Sequence, residues 1–78
     1  MLHTIYINAG KRAKYIVRNK GNDFYLISLL DNSMIRISGQ NLFQAIMESM
    51  LRLENVDHNL IELREFDDWR EGLNWLMD

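Results

Sequence analysis

The stretch "MIRISGQNLFQAIMESMLRL", residues 34–53, decides the fold because its hydrophobic period changes halfway through. Before Gly39, Ile35 and Ile37 alternate with Arg36 and Ser38, the two-residue period of a half-buried strand. After it, apolar residues recur at helical spacing. Asn41 can cap a helix through its side-chain oxygen, with Gln44 three residues on able to reach back. From Leu42 to Leu53 strong helix formers predominate. At 100° per residue, Gln44, Glu48 and Arg52 fall on one narrow polar stripe. Leu42, Ala45, Ile46, Met50 and Leu53 make an apolar face, and Phe43, Met47 and Leu51 make a second apolar flank beside it. That arc is wider than the ~100° a helix needs to pack on one sheet face. Something besides the sheet has to cover the Phe43 flank.

Upstream, the pattern is β throughout. "HTIYINAG" alternates Ile5 and Ile7 with Thr4 and Tyr6, and "AKYIVRN" is rich in β-branched and aromatic residues. "KGND" punctuates as a turn. "FYLISLL" is apolar on both faces, as for a strand covered on both sides. The first forty residues therefore read as an antiparallel meander of three or four strands. Downstream, "LIELREF" fits a strand with Ile61 and Leu63 inward or a helix using Leu60, Leu63 and Phe66. The loop formers Asn55, Asp57 and Asn59 before it favour the strand. "DDWREGLNWLM" reads as a helix capped by Asp67 or Asp68, with Trp69, Leu73 and Leu76 inward. The expected fold is α+β, a three- to four-stranded antiparallel sheet in the order β-β-β-α-β-α. Both helices are expected on one face, the last one covering the Phe43 flank. Residues 1–78 make a single domain.

Composition bounds the function. Apolar residues are 47% of the chain and charged residues 26%, ordinary for a folded domain. There is no cysteine, which excludes disulfides and thiolate metal sites and suits a reducing compartment. The opening "MLHTIYINAGKRAKY" places apolar residues before positive charges, the reverse of a secretory signal, and no run is long enough to span a bilayer. The expected location is the cytoplasm, with no membrane role.

Catalytic signals are poor. No serine sits in a nucleophile motif, and Gly10-Lys11 lacks the rest of a phosphate loop. His58 and Glu62 provide at most two metal ligands, where a catalytic site wants about three. The pairs Asp67–Asp68 and Glu62–Glu65 read as capping and solvated surface rather than an acid and a base. No enzyme activity, cofactor or metal is expected.

Charge is the informative feature. Residues 1–40 carry six basic against two acidic side chains, a net +4, whereas residues 54–78 carry two arginines against eight acids, a net −6. The acidic segment suits a basic protein partner, with Glu65, Asp67, Asp68, Glu71 and Trp75 as the candidate contact set. Trp75 reads equally as its anchor or as a ring lying flat over the sheet edge. The basic hairpin residues Lys11, Arg12, Lys14, Arg18 and Lys20 are candidates for phosphate contacts, with Tyr6 or Tyr15 available to stack on bases. A homodimer is a third possibility, through the opposite charges or through an outer sheet face exposing Phe24 or Tyr25.

"GNDFYLISLLDNSMIRISGQNLFQAIMESMLRL", residues 21–53, resembles the strand–strand–helix core of HicB-type antitoxins, although it lacks that family's proline-bearing turn between strands. The resemblance implies an antitoxin-like regulator. In size, acidity and layout the chain also resembles the small host-takeover proteins of phages, such as anti-CRISPR proteins and polymerase inhibitors. That likeness implies a non-enzymatic inhibitor of a nucleic-acid-handling partner.

Overall fold

The computed structural model describes residues 4–38, 41–54 and 56–77. Its elements are β1 (Thr4–Asn8), β2 (Lys14–Lys20), β3 (Asp23–Ser28), β4 (Met34–Ile37), α1 (Leu42–Leu51), β5 (Glu62–Phe66) and α2 (Trp69–Met77). The sheet is fully antiparallel, in the order β4-β3-β2-β1-β5. The fold class is α+β, with five strands where three or four were expected. The extra strand arises because all four segments of the meander pair, and β5 then returns alongside β1.

Each turn has a local cause. Gly10 takes a φ of 121° between β1 and β2, where the Asn8 carboxamide oxygen accepts the Lys14 ammonium at 2.7 Å. Gly21 leads the two-residue β2–β3 loop with a φ of 66°, the residue order that a type II′ hairpin prefers. Asn32 adopts a φ of 62° in the β3–β4 loop, a conformation asparagine tolerates better than most residues. The period switch at Gly39 lies outside the described residues. Just past it, the Asn41 side chain accepts the Gln44 backbone N–H at 3.1 Å and caps α1 as expected. The Gln44 side chain does not reach back; it donates to Glu48 at 3.3 Å.

Alternation sorts the sheet into two faces. Ile7, Tyr15, Val17, Leu26 and Ile37 lie on one, where they form the main core with Ala45, Ile46 and Met50 of α1. Tyr6 points the other way and meets α2: a Cβ added at Gly72 would overlap the Tyr6 ring. Tyr6 packs edge-on against Phe66, with ring centroids 5.6 Å apart, and Phe66 against Trp75 at 5.9 Å. Leu76 is fully buried in this second, smaller core.

The two helices thus take opposite faces, which corrects the expectation of a shared one. The cause is Tyr6. Its ring is too large to leave in solvent, and it directs α2 to the face that α1 does not occupy. Two consequences follow. The Phe43 flank of α1 is left without the cover α2 was expected to supply; Phe43 is 61% and Leu51 56% exposed. On the other face α2 packs chiefly on β1 and β5, and Tyr25 and Ile27 of β3 remain half-buried rather than enclosed.

Candidate functional site

The C-terminal segment is built from the sheet edge outward. β5 ends at Phe66, and Asp67 and Asp68 turn the chain. The Asp68 carboxylate accepts the Arg70 backbone N–H at 2.9 Å and so caps α2. Glu71 in the first turn offsets the helix dipole. Asp67, Asp68 and Glu71 are all exposed, and so is Glu65 on β5.

Of the two tryptophans, Trp69 departs from its expected role and Trp75 takes the second of its two expected placements. Trp69, expected inside, is 60% exposed, with the Arg70 guanidinium 5.5 Å from its ring centroid. Trp75, expected either to project as an anchor or to lie over the sheet edge, is half-buried against Phe66 and lies under the Arg64 guanidinium at 5.4 Å. Because Gly72 lets the helix close on Tyr6, the inward line runs through Gly72 and Leu76 and brings Trp75 over the sheet edge. Trp69, in the first turn, remains at the open end. An interior glycine is unfavourable in a helix unless close packing uses it, and that cost was the available sign.

The basic residues divide between two places. Lys11 and Arg12 are exposed at the β1–β2 turn. Lys14, Arg18 and Lys20 alternate along β2 on the α2 face, and the register sets Arg18 opposite Tyr25 and Tyr25 opposite Arg36. Arg36 is paired with Asp23 at 3.0 Å on the exposed surface. Tyr6 and Tyr15, the aromatic residues expected to stack on bases, are both buried. Of the two residues expected on an exposed outer sheet face, Phe24 packs toward the α1 core. Tyr25 is half-buried on the part of the other face that α2 leaves open.

Burial pushes the Tyr6 phenol above its ordinary range; Arg18 opposes that shift and Asp68 adds to it. Residues from both charge blocks therefore act on one ring, so the acidic helix head adjoins the basic strand. Tyr15 is likewise raised by burial, with Asp31 contributing.

His58 is exposed in the loop before β5, and among the described residues no group of three or more His, Cys, Asp or Glu could hold a metal. His3 lies outside the described residues. No helix among the described residues is long and apolar enough to cross a membrane. Comparison with protein-family models, curated proteins and solved structures found no match to this chain.

Proposed function

We propose that this protein is a non-enzymatic protein-binding module, an inhibitor or modulator that engages a basic surface of a nucleic-acid-handling partner through the head of α2. The observation that carries this reading is the exposure of Trp69 between Asp67, Asp68 and Glu71, with Arg70 against its ring. Tryptophan and arginine are the residues on which interface energy most often concentrates, and acids around them select a basic counterpart. Trp69 takes the anchor role that the sequence suggested for Trp75, which supports it from the sheet edge. Glu65 shares the opposite, α1 face of the sheet with Ile5 and Leu63, beside Phe43, and is not part of this surface. The phage-inhibitor and anti-CRISPR-like character is part of the proposal, as is a cytoplasmic location, which the cysteine-free sequence suits.

The test is affinity capture from cell lysate with wild type and with an Asp67→Lys/Glu71→Lys variant, leaving the Asp68 cap intact. Loss of a discrete set of basic proteins from the variant supports the reading. Equal capture by the folded variant sinks it.

A second reading rests on a different observation: Lys14, Arg18 and Lys20 share one sheet face with Tyr25 and Arg36. A single strand of nucleic acid laid there would meet cations and one stacking ring, as an antitoxin-like regulator requires. It predicts salt-dependent binding of DNA or RNA that weakens in Arg18→Ala/Lys20→Ala. No binding at low salt removes it.

A further inference from the structure

α1 lies across its sheet face with two unlike flanks. Toward β4 the helix presents Glu48, Ser49 and Arg52, polar side chains that need no cover. Toward β5 it presents Phe43, Met47 and Leu51. Phe43 stands over a shallow cleft floored by Ile5 and Leu63 and bounded by Arg64 and Glu65. Leu60, just before β5, is 54% exposed. β5 ends the sheet on this side, so it also presents one row of backbone N–H and C=O groups to solvent. An apolar helix flank and an unpaired strand edge thus open in the same direction.

We propose that this edge is a self-association surface, and that its occupant is a second copy of the chain pairing β5 against β5 antiparallel about a two-fold axis at Leu63. The sequence of β5 fits its own reverse in this register. Leu63 meets Leu63 of the second copy, and Glu62 meets Arg64 in each direction, giving two reciprocal charge pairs on one face. On the Leu63 face Ile61 comes opposite Glu65, where the aliphatic stem of the glutamate packs and its exposed carboxylate stays at the rim. Beyond the strand ends, Leu60 comes opposite Phe66. Registers centred one residue later would set Arg64 against Arg64, which like-charge repulsion disfavours. The same axis brings the two Phe43 flanks to one side of a continuous ten-stranded sheet, each covering the other. A foreign extended peptide would complete the strand but would not supply the matching helix flank; a second copy supplies both. A chain this small is also in the size range where self-association commonly supplements the core. The inference rests on the β5 edge and the α1 flank and not on Trp69, so it stands independently of the proposed function.

Sedimentation equilibrium on the whole chain tests it, together with circular dichroism to confirm folding. Wild type is expected to reach twice the 9.3 kDa chain mass as concentration rises. Phe43→Lys, at a site exposed in the single copy, is expected to remain folded and monomeric, and Leu51→Lys gives an independent check on that flank. Glu62→Arg and Arg64→Glu each convert both reciprocal pairs to repulsion and weaken association about tenfold or more. Combining the two restores opposite charges and is expected to recover most of the association. A wild type that stays at one chain mass at its highest soluble concentration overturns the proposal. So does a dimer insensitive to Phe43→Lys and Leu51→Lys, or a double charge reversal no better than either single one.

Discussion

The two helices close the two sheet faces in opposite ways. α1 brings more apolar surface than its face can use: Ala45, Ile46 and Met50 are buried, while Phe43 and Leu51 are left over. α2 brings less, and makes contact by omission, since Gly72 has no side chain to keep the Tyr6 ring away. One face is sealed by bulk and the other by close approach. Surplus bulk leaves an apolar flank that wants a neighbour. Close approach turns the helix until its first turn, with Trp69 and the acids, points into solvent. Both candidate surfaces of this protein are by-products of how its cores are filled.

Substitutions separate the two modes. Ile46→Ala, in the main core, is expected to cost about 2–5 kcal/mol, the range for a buried large-to-small change. Gly72→Ala is the reverse experiment, adding one methyl where the Tyr6 ring sits. It is expected to cost about 1–3 kcal/mol, because the ring is held by Phe66 and cannot retreat freely. Urea unfolding measures both. If Gly72→Ala were neutral, close approach would not be what holds α2.

Alkaline pH sharpens the contrast further. Burial raises the phenols of Tyr6 and Tyr15, so folding favours their neutral forms. That contribution is fully present below the ordinary tyrosine range near pH 10 and is lost as pH rises through the raised folded values. Thermal melts between about pH 9 and pH 12 are expected to show a falling Tm. Tyr6→Phe removes the part due to the α2 core, and Tyr15→Phe the part due to the α1 core. Melts that fall as steeply in both variants as in wild type would contradict the assignment.

The smallest effect is expected at the surface. Trp69→Ala should change stability by no more than about 0.5 kcal/mol, as for an exposed side chain away from the core. A large loss would return Trp69 to the structural role that the helical spacing first suggested.

Much of this architecture was legible in the residues. The strand alternation in Ile5–Ile7 and Ile35–Ile37, the Asn41 cap, the polar stripe of Gln44, Glu48 and Arg52, and the strand at Glu62–Phe66 all appear where the sequence placed them. What failed was the choice of face. Helical spacing gives the angle of each side chain about its own axis but not which sheet face the axis lies on. That was decided by Tyr6, which alternation marked as outward without showing that a helix waited there. The same gap misplaced Trp69, because the inward line of α2 follows its smallest residue and not its largest. The charge blocks were plain in the sequence. Their adjacency across Tyr6 was not, since it depends on strand pairing and on the return of α2.

The central claim is that the head of α2 recognises a protein, with Trp69 as its anchor. The most direct measurement is quantitative mass spectrometry of proteins captured from lysate by wild type and by Trp69→Ala, matched for folding. The account predicts that a small group of basic proteins falls at least about tenfold in the variant, as removal of an interface anchor does, while background capture is unchanged. The same proteins held at the same abundance by both chains would contradict it.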